Sequence, residues 1–294
     1  MKKVGFIGVG IMGKSMVRNL MKAGFELHIY ARTKSKVEDV IGEGAQFHES
    51  IKDCVQDCDA VITIVGFPQD VEEVYFDEGN ILDSAKKGAY LIDMTTTSPQ
   101  IAEKIYEEGT KRGFHVMDAP VTGGDTGAKA GTLSILVGGE KEDYEACMPL
   151  FEAMGTNINY QGKAGCGQHC KLANQIMIAG TLSGVCEALT YAKEQGLDPE
   201  VFMKSVATGA AGSKQLDTFG PKILKDDYAP GFFMKHFIKD MKLALIEANR
   251  KGLSLDVLSM VLANYEELEQ EGYGDLGTQA LMKFYDEEHR NTEE

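Results

Sequence analysis

The chain has 294 residues, 43% of them apolar, and a formal net charge of −15. That is enough apolar material for one large core or two medium ones. The acidic balance disfavours nucleic acid and anionic membranes as partners, and no stretch approaches the ~20 apolar residues of a membrane helix. The run after Lys2 and Lys3 lacks a small-residue cleavage site, so no signal peptide is expected. Six cysteines without a secretory segment then read as thiols of a reducing cytoplasm. The C-terminal YDEEHRNTEE reads as a charged, solvated tail.

In chain order, short apolar runs alternate with amphipathic ones: KVGFIG, Met12 to Ala23, ELHIY, Lys34 to Gly42, AVITIV, Val71 to Tyr75, AYLIDM, Pro99 to Arg112, FHVMDAP. This strand–helix alternation predicts an α/β Rossmann-type doubly wound sheet with helices on both faces. Two more strand-like runs, TLSILVG and TNINYQG, bracket a helix over Lys141 to Met154 and extend the same sheet. Beyond 163 the strand-like runs largely disappear. Gly167 to Gln195 has no proline, many small residues and almost no charge before Glu187, which suits the buried spine of an all-α C-terminal domain. The expected division is 1–162 for the α/β domain and 163–294 for the helical domain.

Gly8, Gly10 and Gly13 form G-x-G-x-x-G between the first strand and the first helix, with Ile11 and Met12 at the helix start. The spacing supplies a tight turn, close approach of a pyrophosphate, and close helix–strand packing, with phosphate on the helix N-terminus. At the end of the second strand an NAD site usually carries Asp or Glu for the ribose hydroxyls. Here stand Tyr30 and Ala31, then Arg32, Thr33 and Lys36. A forked guanidinium beside a hydroxyl and an ammonium suits the 2′-phosphate of NADP, so NADP is preferred and NAD remains open.

Two loops, DMTTTSP at 93–99 and DAPVTGG at 118–124, follow strands and should face the cofactor crevice. Thr122, Gly123 and Gly124 can offer a hydroxyl and unobstructed N–H groups to a carboxylate; a plain chain-reversing turn is the other reading. The stretch GCGQHCKLANQ, 165–175, raises a metal site at Cys166, His169 and Cys170, which share one side of a helical wheel. No second ligand cluster accompanies them, and no metal is expected. Lys171, Asn174 and Gln175 form a polar stripe instead. A buried amine needs partners or a task, and facing a nicotinamide it can exchange a proton with a substrate oxygen as general acid/base. A lysine snorkelling to solvent is the alternative.

These segments, with Lys239 and Asp240, make the chain resemble the β-hydroxyacid dehydrogenase family over essentially its whole length. The resemblance implies Lys171 as catalytic acid/base and Asn174 as the residue positioning the substrate's oxygen or carboxylate. It makes Thr122, Gly123 and Gly124 the carboxylate cradle and Gln175 a second amide of the substrate site. Thr96 would stand on the nicotinamide side, Val65 and Gly66 would line the cofactor, and Lys239 would reach it from the helical domain. The implied activity is NAD(P)-dependent interconversion of a small hydroxy acid, of the 3-hydroxyisobutyrate, glycerate or 4-hydroxybutyrate type, with its semialdehyde or keto acid. The implied assembly is a homodimer or homotetramer. Departures are Ala31 where the family usually has asparagine, Gly66 where proline is common, and threonine for serine at Thr122. Phe232 and His236 are candidates for the wall that reads substrate length, His236 being more readily a packing or surface residue. A dinucleotide-binding sensor without turnover and an imine reductase relative remain open.

Overall fold

The computed structural model describes residues 1–285. The expected solvated tail lies, beyond Tyr285 itself, outside the described residues. Two compact units divide the chain, Met1–Lys171 and the part from Leu172 onward. In the first, β1 (Lys3–Ile7), α1 (Ile11–Lys22), β2 (Glu26–Tyr30), α2 (Glu38–Gly42), β3 (Gln46–Phe47), α3 (Ile51–Val55), β4 (Ala60–Thr63), α4 (Pro68–Phe76) and α5 (Ile81–Ser84) come in order. They are followed by β5 (Tyr90–Asp93), α6 (Pro99–Lys111), β6 (His115–Asp118), β7 (Val121–Thr122), α7 (Gly124–Ala130), β8 (Leu133–Gly139), α8 (Lys141–Ala146), α9 (Met148–Met154) and β9 (Gly155–Gly162). The helix expected over Lys141 to Met154 is thus two, broken at Cys147. Pro149, without an N–H, is accommodated in the first turn of α9 rather than inside one continuous helix.

The sheet runs β3-β2-β1-β4-β5-β6-β8-β7, with β9 added on β8. Pairing is parallel from β3 to β6; β8 is antiparallel to β6 and to β7, and parallel to β9. Both faces are covered, and the period-2 alternation of strand side chains distributes them. Phe6, Ile62, Ile92 and Met117 enter one core with Met16, Leu20 and Phe151. Their neighbours Ile7, Val61, Leu91 and Val116 enter the other with Val71 and Tyr75. Strand order reverses at the β1/β4 pair, so the crevice beyond the carboxyl ends of β1 and β4 is where a ligand of such a sheet binds.

The helix α10 (Cys166–Glu194) begins in the first unit and continues into the second, where α11 (Pro199–Ala207), α12 (Lys214–Ile223), α13 (Met234–Arg250) and α14 (Asp256–Gln270) follow. Leu182, Cys186, Phe237, Met241, Val261 and Leu268 form its core, and Tyr265 packs edge-on to Phe237 at 5.4 Å while donating its hydroxyl to the Thr278 carbonyl at 2.8 Å. By length and composition alone α10 is apolar enough to cross a membrane, which corrects the expectation that no stretch approaches that. Its apolar side chains Leu172, Ala179, Leu182, Cys186 and Leu189 are spent on the core of the helical unit.

The first compact unit runs on to Lys171 and so takes in the head of α10. The physical reason is the anchoring of the first turns of α10. Asp118, at the end of β6, accepts hydrogen bonds from the backbone N–H groups of Gly165 and Gln168, each at 2.8 Å. A carboxylate there satisfies donors that every helix start leaves open and complements the helix dipole.

Candidate active site

The three glycines of the turn have different surroundings. Gly8 has φ +98°, and a Cβ on it would lie 2.1 Å from the carbonyl oxygen of Ile64. A Cβ on Gly13 would lie 2.1 Å from the carbonyl oxygen of Gly8. Both glycines are therefore required by the protein itself. Gly10 is different: a Cβ there would meet no protein atom within 4 Å. Gly10 and Ile11 are exposed, Met12 is half-buried, and α1 has neither a side-chain cap nor an acidic residue in its first turn. The open donors at the start of a 12-residue helix and the room over Gly10 fit a dinucleotide pyrophosphate.

At the end of β2, Ala31 is half-buried while Arg32, Thr33 and Lys36 are exposed. The Arg32 guanidinium pairs with Asp70 Oδ1 at 3.2 Å. Asp70 itself accepts from the Phe67 N–H at 2.9 Å, so it is fixed at the head of α4 and tethers the arginine. One ion pair leaves most of a five-donor fork for another anion. Val65 and Gly66 follow β4, and the Val65 N–H donates to the Thr95 hydroxyl at 2.9 Å, which binds the loop after β4 to the loop after β5.

That second loop is built around buried polar groups. Asp93, 2% exposed, accepts from the Thr63 hydroxyl at 2.7 Å and from the Thr95 N–H at 3.2 Å. Burial raises its pKa to about 6, against the lowering effect of those hydrogen bonds. Thr96, half-buried, lies between Thr95 and Thr97, and both neighbours are gripped by the side chain of Gln168, which is 0% exposed. Gln168 Nε2 donates to the Thr95 carbonyl at 2.7 Å, and its Oε1 accepts from the Thr97 N–H at 3.0 Å. Asp118 is pushed upward by burial, offset by the Gly165 and Gln168 N–H groups. Thr122 is half-buried at the end of β7, and Gly123 and Gly124 are exposed with φ +132° and +64°. The residue types are thus dictated by the backbone, which opens N–H groups where a carboxylate is expected.

In α10, Lys171 is buried at 7% exposure. Cys170 has its thiol pushed up by burial, His169 is exposed, and all six cysteines are free thiols. Among the described residues no group of three or more His, Cys, Asp or Glu side chains is placed to hold a metal ion. In the helical unit, residues far apart in the chain are joined. Asn174 Nδ2 donates to Gln175 Oε1 at 2.9 Å, Gln175 Nε2 donates to Asp240 Oδ2 at 2.7 Å, and Asp240 Oδ1 pairs with Lys239 Nζ at 3.0 Å. Asp240 and Gln175 are 0% and 2% exposed. Because a carboxylate only accepts, Asp240 sets the polarity of this chain: the Gln175 amide turns its NH₂ to Asp240 and its oxygen to Asn174. His236 stacks near Phe232 at 6.4 Å and meets Phe233 edge-on at 5.8 Å.

Sequence reasoning did not assign Asp93, Thr95, Gln168 or the anchoring role of Asp118. Gln168 and Asp118 stood inside the quoted motifs, but their roles rest on bonds spanning 47 to 73 positions, which no local pattern encodes.

Residues 3–162 match the family described as the NAD binding domain of 6-phosphogluconate dehydrogenase. Residues 165–285 match that described as NAD-binding of NADP-dependent 3-hydroxyisobutyrate dehydrogenase. The chain belongs to the β-hydroxyacid dehydrogenase family. It is 49% identical to the uncharacterized oxidoreductase YkwC of Bacillus subtilis, over 97% of this chain and 99% of that one. Identity is 44% to the probable 3-hydroxyisobutyrate dehydrogenase-like 1, mitochondrial, of Arabidopsis thaliana, over 95% of this chain and 84% of the relative. Among solved structures, the Mycobacterium tuberculosis 3-hydroxyisobutyrate dehydrogenase with L-serine superposes with a TM-score of 0.89 at 26% identity, covering 97% of this chain and 99% of that one. The protein is an oxidoreductase of this family that uses NAD(P).

Proposed function

We propose that this dehydrogenase reduces a small carboxylate-bearing semialdehyde, or oxidises the matching hydroxy acid, with NADP preferred over NAD. Gly8, Gly10, Ile11, Met12 and Gly13 would hold the pyrophosphate, and Arg32, Thr33 and Lys36 the 2′-phosphate. Val65, Gly66, Thr96 and Lys239 would line the remainder of the cofactor. A bound NAD(P)H supplies the hydride. Thr122, Gly123 and Gly124 receive the substrate carboxylate, and Asn174, oriented by Gln175, positions the reacting oxygen. As hydride reaches the carbonyl carbon, the Lys171 ammonium gives a proton to the carbonyl oxygen; in oxidation the neutral amine takes that proton back.

The observation that carries this reading is Lys171 itself, a lysine only 7% exposed, three residues beyond the Gln168 N–H that is bonded to Asp118 at the end of β6. Snorkelling to solvent does not describe a side chain so covered. Turnover is tested with NADPH against glyoxylate, succinic, tartronate and methylmalonate semialdehydes, and with NADP⁺ against the corresponding hydroxy acids and L-serine. Lys171→Ala is expected to lower kcat by ~10²–10⁴ while leaving NADPH affinity nearly intact. A near-normal kcat removes Lys171 from the mechanism, and no turnover with any of these acids favours a sensor. We also propose self-association, since the helical unit exposes Met177, Tyr191, Val257 and Met260; sedimentation at micromolar concentration reports it, and a monomer rejects it.

A further inference from the structure

We infer that Gln168 is a positioning residue that fixes the nicotinamide-side loop relative to the proton donor. The inference rests on the reaction proposed above and adds a residue to it. The Gln168 side chain is wholly buried, and both ends of its amide are used on the two residues that flank Thr96. It donates to the carbonyl of Thr95 and accepts from the N–H of Thr97, bonding as a neighbouring strand would to a loop that has left the sheet. Its backbone N–H is bonded to Asp118 at the end of β6. Lys171 follows three positions later, which is less than one helical turn, so the same residue sets the height of Lys171 and the placement of Thr96. Positioning at this level is worth far more in rate than in binding, because misplacement by about 1 Å can cost ~10²-fold.

The pattern needs one donor and one acceptor at fixed places, and this gives the test a signature beyond loss of packing. In Gln168→Glu, the carboxylate still accepts from Thr97 but repels the Thr95 carbonyl. Once protonated, its O–H donates to Thr95 while its C=O accepts from Thr97, and the native pattern is rebuilt. Gln168→Met keeps the approximate shape and has neither group.

We expect Gln168→Met to lower kcat about 10- to 100-fold at every pH, with NADPH affinity by fluorescence changed less than about threefold. Gln168→Glu should show a similar loss at pH 8, and the ratio of its kcat to that of the wild type should recover as pH falls toward 5. In the cofactor-free protein, amide hydrogen exchange over 95–98 should quicken in Gln168→Met, and in Gln168→Glu at high pH only. Thermal melting of each variant separates these effects from global unfolding. A Gln168→Met enzyme within threefold of wild-type kcat overturns the inference, as does a Gln168→Glu deficit that is flat with pH or exchange over 95–98 that does not change. If Lys171→Ala is inactive while Gln168→Met is normal, the positioning role fails and the proposed reaction stands. A wild-type protein without turnover overturns the reaction, while the exchange measurement still decides the clamp.

Discussion

The cofactor turn of the α/β unit and the polar chain of the helical unit are held by different means. In the first, the turn is backbone: Gly8 and Gly13 have no room for a Cβ, whereas Gly10 faces open space. In the second, the corresponding work is done by side chains, Asn174, Gln175, Asp240 and Lys239, bonded in series across 65 positions. A backbone site is robust to changes in its surroundings and intolerant of changes in residue type. A side-chain chain is the reverse, since each member depends on the next being present and correctly polarised.

Asp240→Ala puts this contrast to its most severe test. It removes a fully buried carboxylate that pairs with the Lys239 ammonium and accepts from the Gln175 amide, and should cost about 3–5 kcal/mol in denaturant melts. A loss below 1 kcal/mol means that the chain is not what holds these residues. Next is a pair of substitutions in the backbone site. Gly13→Ala forces a methyl against the Gly8 carbonyl and should destabilise by ~1–3 kcal/mol. Gly10→Ala should stay within ~1 kcal/mol of the parent and yet lose NADPH binding; equal effects of the two on stability would erase the distinction between a structural and a ligand-facing glycine.

Smaller effects sharpen the electrostatics. Arg32→Ala should weaken NADPH binding by ~10–100-fold, the worth of a charge-assisted bond, and NADH binding far less; equal losses place the 2′-phosphate elsewhere. Asp93 concerns pH. Its folded pKa of about 6 lies above the ordinary 3.8, so the fold favours the protonated form. The stability this contributes is complete below about 4 and lost as pH rises through about 6. Asp93→Asn removes that titration, so the melting advantage of the variant over the wild type should grow from pH 5 to pH 8, on the order of 1–2 kcal/mol. A difference independent of pH would show that Asp93 does not titrate there.

How far the sequence can be read follows the same contrast. The strand–helix alternation, the tight turn at Gly8 and the close packing at Gly13 were legible because each is a local requirement on residue type or periodicity. The break at Cys147 and the short elements β3, α3 and α5 were not, being too brief to set up a period. Lys171, Asn174 and Gln175 stood out as polar residues heading an apolar helix, whereas Asp118 and Gln168 drew no role because their partners are distant in the chain. Cys166, His169 and Cys170, the most conspicuous members of that stretch, are not gathered into a metal cluster.

The Asp118 carboxylate also has a bearing on how the chain folds. Starting a helix is its costly step, and the donors at the start of α10 are satisfied by a residue made 47 positions before Gly165. When the head of α10 leaves the ribosome, the group that caps it has already been synthesised at the end of a strand. The longest helix of the protein is thereby given a fixed starting point, and its register is set by the sheet that precedes it.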